Sequence, residues 1–384
     1  MNTQEQQLRP TLARIDLDAL RHNAGTLVER LGPGRPGVLA AVKADAYGHG
    51  LVPVARSLVS AGVDQLGVAI VEEGLALREA GVRVPVLVLG GVIHGSEEAA
   101  VDAGLTPVLF RPESACRLSA IGERRGAPVA VHLKVDTGMN RLGVPMRELG
   151  QFLDLLDSLG GLVVDGVMTH LAEAEMPSSE PTRAQFSAFD QAIAAIRSRG
   201  HRPRWTHAAN SAALLTGHGT RPVGANLVRP GIMLYGCMPA SGCGSDWGLR
   251  PVMSFVTRVA FLKSVPAGER LSYGGIFTTA RASRIATLPV GYGDGYARAL
   301  GNRASVLIRG RRAAVVGRVC MDLCLADVTD IPGVAEGDEV TLIGLDGDAQ
   351  IGAEELAGHL GTIPYEVLCS VSPRVPRTYI GGEE

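Results

Sequence analysis

The sequence predicts a closed parallel (β/α)8 barrel, TIM-like in class, followed by a mainly β domain. Three observations carry that prediction. Eight short runs rich in β-branched residues occupy the first 235 positions, helix-compatible segments of crossover length separate most of them, and after Tyr235 the chain changes to short strands parted by Gly, Pro and Asp turns. With 384 residues the chain is too long for one ordinary core, and it suits a barrel of about 250 residues plus a second unit.

The eight runs are 38–42, 65–70, 84–89, 105–110, 129–136, 162–171, 205–211 and 227–235. Between them, segments 51–61, 72–80, 112–125, 147–159 and 182–199 carry apolar residues at helical spacing. Phe186, Phe189, Ile193 and Ile196 fall three to four apart, and Glu72 and Glu73 sit near a helix start, where the macrodipole favours acids. Only the last two runs lack a clear helix behind them. An open doubly wound sheet is the competing fold, but no Gly-x-Gly-x-x-Gly turn follows the first strand. The cluster Gly32-Pro33-Gly34-Arg35-Pro36-Gly37 precedes its strand, whereas a dinucleotide cradle needs the turn after it. Beyond Leu249, strands are expected at 252–259, 284–289, 305–308, 312–319, 323–327 and 339–343, then a helix at 352–360 and a final segment at 365–379. The Gly- and Ser-rich stretch 239–248 reads as a connector. It divides the chain into a barrel domain, 1–245, and a β domain, 246–384, with segment 1–14 partly belonging to or packing on the latter.

Bulk properties narrow the function. A net charge of −2 leaves no basic field for nucleic acid, so the partner is expected to be a small molecule. The polar start lacks the apolar stretch of a signal peptide, and no run reaches the roughly 18 apolar residues of a membrane span. Six cysteines show no Cys-x-x-Cys pair and no metal-ligand spacing, which reads as reduced thiols, no metal site and a cytoplasmic setting.

The stretch Ala41 to Gly50 is the most informative. It places Lys43 at the C-terminal end of an apolar strand, the end at which barrel active sites gather. Desolvation there disfavours the ammonium and leaves an amine able to condense with an aldehyde, which is Schiff-base chemistry. A strand-end lysine can equally snorkel to solvent. Other strand ends supply Lys134, Asp136 and Arg141, then Thr169 and His170, then His207, Asn210 and Ser211, and finally Arg229, Gly231 and Ile232. Singly, His170 reads as a satisfied core histidine, Ser211 as a helix N-cap and Arg229 as a salt-bridge partner. Together they describe a polar floor around an amine.

Several motifs resemble the alanine racemase family over nearly the whole chain. They are Ala41 to Gly50, Lys134 to Gly143, His207 to Ala212, Val228 to Ile232, Ser272-Tyr273-Gly274, Pro289 to Gly295, Gly317 to Asp322 and Pro364 to Val367. The resemblance implies a racemase of alanine that supplies D-alanine for peptidoglycan, with pyridoxal 5'-phosphate (PLP) carried covalently by Lys43. PLP needs a lysine, donors for a dianionic phosphate, a partner for the pyridine nitrogen and a base at the substrate Cα. Tyr47, Asn210, Ser211, Gly231, Ile232 and Tyr365 are the expected phosphate and cofactor neighbours, the amides and hydroxyls among them suiting an anion.

Arg229 is implied at the pyridine nitrogen, with His170 beside it. Arg141 is implied at the cofactor's phenolic oxygen and the substrate carboxylate, which the Met321 amide completes. Inversion of Cα calls for two proton carriers, implied to be Lys43 and Tyr273, the latter from the partner subunit of a head-to-tail homodimer with shared sites. From the letters alone Tyr273 also reads as a packed aromatic. Lys134 matches a position carbamylated in some relatives, and Tyr292 and Tyr365 match residues that narrow the substrate entrance. Two departures stand out: the acidic stretch 171–176, and Leu323 where relatives often carry a polar residue. Both bear on selectivity, so a racemase of serine or another small amino acid is the nearby alternative. A decarboxylase of related fold would carry glutamate in place of Arg229, and a PLP-holding protein without turnover would lack the β domain.

Overall fold

The computed structural model describes residues 9–382 apart from 94, 177–178, 218–223, 241–242 and 244–246. Eight parallel strands form the barrel: Gly37–Ala41, Gln65–Val68, Val86–Val88, Thr106–Leu109, Val129–Asp136, Leu162–Met168, Trp205–His207 and Leu227–Val228. Continuous ladders join them in sequence, and the eighth pairs back onto the first. The seam between strands seven and eight is closed by single contacts. Asn210 and Arg229 form an isolated parallel bridge, while Asn226 donates its N–H to Thr206 O (3.0 Å) and accepts the Thr206 N–H on Oδ1 (2.8 Å). Parallel strands covered on both faces are apolar throughout, which is why these runs stand out in the sequence. Leu39, Leu87, Val108, Met168 and Leu227 fill the barrel interior as a cluster separate from the main core.

Three runs end sooner than the sequence suggests. Strand six stops at Met168, strand seven at His207 and strand eight at Val228. Beyond strand seven the backbone is diverted by a polar side chain that offers a local hydrogen bond. Asn210 Oδ1 accepts the Ala213 N–H (3.0 Å) and caps a short helix, Ser211–Leu215, and Ile232–Tyr235 is a 3-10 turn. The expected final segment likewise divides into a helix, Pro364–Ser370, started by its proline, and a strand, Arg377–Ile380.

The second unit is built on one twisted sheet. Its hydrogen-bonded order is Phe261–Val265, Ser283–Leu288, Cys324–Asp327, Arg311–Val315, Ser305–Ile308, Glu339–Asp346, Met253–Arg258, Leu12–Asp16 and Arg377–Ile380. The strand Leu12–Asp16 lies antiparallel to Met253–Arg258 and parallel to Arg377–Ile380, so both ends of the described chain enter this sheet. Of segment 1–14, residues 1–8 lie outside the described residues, as do 241–242 and 244–246 of the connector. Asp16 closes that first strand and caps the helix Leu17–Leu31 through the Ala19 N–H (2.9 Å), carrying the chain back to the barrel. No helix among the described residues is long and apolar enough to cross a membrane.

Candidate active site

Lys43 follows the first barrel strand and begins an unusual turn. Ala44, Asp45, Ala46 and Tyr47 all hold left-handed helical conformations, with φ of 54°, 52°, 53° and 55°. For L-residues each costs roughly 1–2 kcal/mol, so the turn persists only because its surroundings over-determine it. Those surroundings are specific. Glu73 accepts the Ala44 N–H on Oε1 (2.6 Å) and the Ala69 N–H on Oε2 (2.8 Å). Asp45 Oδ1 accepts the Leu51 N–H (2.7 Å), and Arg377 Nε donates to Gly48 O (3.1 Å). The buried His49 reaches Ala46 O (3.0 Å) and Tyr47 O (2.9 Å) from Nδ1. Two carbonyl acceptors require a proton on that nitrogen, and burial pushes the ring's pKa down to about 4, so it stays neutral. Gly48 is a positional necessity: its φ is 80°, and a Cβ there would lie 2.5 Å from Leu368 O.

A cavity of about 600 Å³ opens at this end of the barrel. Lys43, Tyr47, Arg141, His170, Asn210, Ser211, Arg229, Gly231, Ile232 and Tyr365 all line it, as does Lys134. Four cationic side chains thus converge, with Glu175 the carboxylate in the same lining. Burial, and then Arg141, pushes the Lys43 amine below the usual lysine range, while Glu73 opposes the shift. Burial together with Arg229 and Arg141 brings Lys134 down to about 8. Such a site favours anionic ligands and an amine that gives up its proton readily.

Arg229 organises the floor. Its guanidinium donates to Thr169 O (2.7 Å) and Ala208 O (2.9 Å) from Nη2, and it meets His207 Nδ1 (3.0 Å, from Nη1) and His170 Nδ1 (3.3 Å, from Nη2). Burial lowers its pKa to about 9, which leaves it cationic at neutral pH. An arginine only donates, so both histidines accept on Nδ1 and carry their protons on Nε2. His207 then donates from Nε2 to His132 Nδ1 (2.8 Å). Burial first, and the Arg229 charge second, holds all three imidazoles well below the usual histidine range, His132 at about 3. The result is a row of neutral rings with fixed tautomers behind one fixed cation.

Next to Arg229 along the chain, the Gly231 N–H donates to Ser211 Oγ (2.8 Å) and ties two chain turns together. Ser211 is therefore the first helical residue and Asn210 is the cap. Gly231 is again required by space, since a Cβ would lie 2.5 Å from Tyr47 Oη. The Tyr47 ring packs on Tyr235 (4.8 Å between centroids) and Tyr365 (5.8 Å). Burial raises the Tyr47 and Tyr365 pKa values, so both phenols remain protonated donors.

Tyr273, Tyr292 and Met321 lie elsewhere. None lines this cavity, and their exposures are 72%, 42% and 53%. They sit on connected loops of the β sheet. Ser272 Oγ donates to Arg318 O (2.8 Å), Arg318 Nε donates to Tyr273 O (3.1 Å), and the Tyr292 and Gly293 N–H groups donate to Cys320 O (3.0 Å) and Met321 O (2.9 Å). One chain thus carries a cation-lined cavity and, separately, an exposed phenol held on a firm loop. Sequence reasoning missed Glu73, His132 and Arg377. Glu73 had a local signal, its place in the first turn of a helix, but His132 and Arg377 act over long sequence separations that leave none.

Family models described as alanine racemase, N-terminal domain, and alanine racemase, C-terminal domain, match residues 15–239 and 252–379. The chain is 46% identical over 376 residues to the alanine racemase of Geobacter sulfurreducens, covering 97% of each. It superposes on the alanine racemase from D-cycloserine-producing Streptomyces lavendulae with a TM-score of 0.92 at 33% identity, covering 98% of this chain and 99% of the other. It also matches the Bartonella henselae alanine racemase solved with covalently bound pyridoxal phosphate, with a TM-score of 0.85 at 30% identity and coverage of 97% and 99%.

Proposed function

The chain belongs to the alanine racemase family, and from that premise we propose that it interconverts L-alanine and D-alanine using PLP held covalently on Lys43 and two bases on opposite faces of Cα. The bases are Lys43 and Tyr273 of the partner subunit. The observation that carries this reading is the meeting of a desolvated amine with Lys134, Arg141 and Arg229 around one cavity of about 600 Å³. That donor set fits a phosphorylated aldehyde whose substrate brings a carboxylate.

Several residues would hold the cofactor. Ser211, Asn210, Gly231, Ile232, Tyr47 and Tyr365 would surround its phosphate, His170 and Arg229 its ring, and Arg141 its phenolic oxygen. When bound, PLP supplies the electron-withdrawing ring that lets the bond between Cα and its hydrogen break. Lys43, freed when the substrate amine takes its place on the cofactor, would take the proton from Cα of D-alanine, and Tyr273 of the partner subunit would supply one to the other face; for L-alanine the order reverses. Arg229 would face the ring nitrogen and, because it does not yield its proton, would leave that nitrogen unprotonated, which favours return of the proton to Cα over side reactions. Arg141 and the Met321 amide of the partner subunit orient the substrate carboxylate.

Two features support a homodimer with shared sites. Tyr273 is exposed in its own chain, and the cavity lining includes none of the described residues between 241 and 362. The β domain, taken as 246–384 with the first strand added, would deliver Tyr273, Tyr292 and Met321 to the partner's barrel. We place the protein in the cytoplasm, where its six free thiols remain reduced, with D-alanine passing to peptidoglycan precursors.

The test is formation of D-alanine from L-alanine by purified protein with PLP, followed by a D-amino-acid-specific coupled assay alongside L-serine. Turnover of alanine well above serine is expected; cofactor uptake without turnover of either would refute the reading. Mixing inactive Lys43→Ala and Tyr273→Phe chains addresses the shared site. Random pairing of shared-site dimers restores about a quarter of the native sites, whereas sites complete within one chain would recover none.

A further inference from the structure

One carboxylate, that of Glu73, joins the left-handed turn that carries Lys43 to the end of the second barrel strand. Glu73 sits in the first turn of the helix Val71–Glu79, and its two oxygens serve different parts of the chain. Oε2 takes the Ala69 N–H (2.8 Å) and, more weakly, the Ile70 N–H (3.4 Å) at the end of the second barrel strand, whereas Oε1 takes the Ala44 N–H (2.6 Å). The Ala44 nitrogen belongs to the peptide joining it to Lys43, and Ala69 borders the cavity.

We propose that Glu73 is a positioning residue for the racemase reaction, fixing the Lys43–Ala44 peptide against strand two so that the lysine amine meets Cα in register. The inference rests on Lys43 being a base, as proposed above. A capping role alone would need only the bonds to Ala69 and Ile70; the third bond, across to the strained turn, is what connects Glu73 to chemistry. Its charge matters as well. The groups that act electrostatically on Lys43 are Arg141, Arg229 and the Cys369 thiol besides Glu73, and Lys134 and His170 face the same amine. Glu73 is the carboxylate in that set, and it opposes the cations.

The two contributions separate in two variants of the PLP-loaded enzyme. Glu73→Gln removes the charge and keeps one acceptor oxygen, enough for the Ala44 attachment or the Ala69 attachment but not both. Glu73→Ala removes charge and acceptors alike. Exchange of the α-hydrogen with deuterated solvent, measured separately from D-alanine and L-alanine, reports which base is affected. For Glu73→Gln, the acid limb of exchange from D-alanine moves to lower pH, because Lys43 loses the charge that favours its protonated form. For Glu73→Ala, exchange from D-alanine falls on the order of a hundredfold, the scale of an ångström-sized misplacement, and exchange from L-alanine falls less. Retention of the cofactor absorbance band in both variants is expected.

Unchanged exchange and an unshifted limb in both variants would overturn the inference, and so would equal losses from the two enantiomers. Should Glu73→Ala not fold, the limb position in Glu73→Gln decides alone. Persistent exchange from D-alanine in Lys43→Ala would instead sink the assignment of Lys43 as base, which keeps the two failures apart.

Discussion

Replacing Tyr273 with phenylalanine removes one oxygen atom from a side chain that is 72% exposed in its own chain. The loop's recorded bond runs through the backbone, from Arg318 Nε to Tyr273 O at 3.1 Å, and survives the change. The stability of the single chain should therefore move by no more than about 0.5 kcal/mol, as for ordinary surface substitutions. Losing a positioned general acid or base removes about 10²- to 10⁴-fold in rate, or about 3–5 kcal/mol of barrier. Activity must therefore fall while the melting curve stays in place. Direction of turnover cannot identify the base, because the two enantiomers are equal in free energy and kcat/KM must fall equally both ways. Solvent exchange can identify it. With Tyr273→Phe in deuterated water, D-alanine should still exchange its α-hydrogen through Lys43 and retain its configuration, while exchange from L-alanine collapses. Mass spectrometry of the separated enantiomers reads both. If L-alanine exchanged at the native rate, another group would serve that face and the two-base assignment would fail.

Three further outcomes follow from the geometry. Burial, and then the Arg229 charge, brings Lys134 to about 8 against the ordinary lysine value of 10.5, so the folded state binds fewer protons between those values. Its penalty, up to about 3 kcal/mol, is complete below pH 8 and fades as pH rises toward 10. Lys134→Met should raise the melting temperature at pH 7 and not at pH 10; an equal gain at both would mean that packing, not charge, is responsible. Gly231→Ala would bring its Cβ to 2.5 Å from Tyr47 Oη. It should cost about 1–3 kcal/mol by overpacking and weaken PLP retention in equilibrium dialysis, while retention at the native level would show that Tyr47 moves freely. Arg377→Ala removes donors to the carbonyls of Gly48, Val371, Ser372 and Val375. A loss of about 3 kcal/mol is expected from chemical denaturation, together with weaker cofactor retention, and a stability loss without the latter would detach Arg377 from the lysine turn.

The barrel was legible for a physical reason. Parallel strands buried on both faces leave apolar runs such as Val38 to Ala41, whereas Phe261–Val265, a largely exposed edge strand, leaves no comparable mark. Leu12–Asp16 was recognisable only as a segment near the β domain, because its partners are Met253–Arg258 and Arg377–Ile380, far along the chain. The overlong readings at 205–211 and 227–235 meet at one pair of residues. Past His207 and Val228 the composition still resembles a strand, yet Asn210 caps a helix through the Ala213 N–H and Ser211 accepts the Gly231 N–H, bonds that no hydrophobic pattern records.

For the site, residue identity was legible and its support was not. Lys43, Arg141, His170 and Arg229 were singled out as strand-end residues and do border one cavity. What the letters do not convey is that Ala44 to Tyr47 adopt a conformation that short peptides avoid. No local preference explains it, since none of those residues is glycine. The compensation comes from Glu73 at the next strand and from Arg377, 329 positions beyond Gly48 in a strand of the other sheet. That placement has a consequence for architecture. A barrel alone would hold the lysine but lack the clamp at Gly48, so the β domain holds the strained turn of its own chain in place, quite apart from any phenol proposed to reach a neighbour.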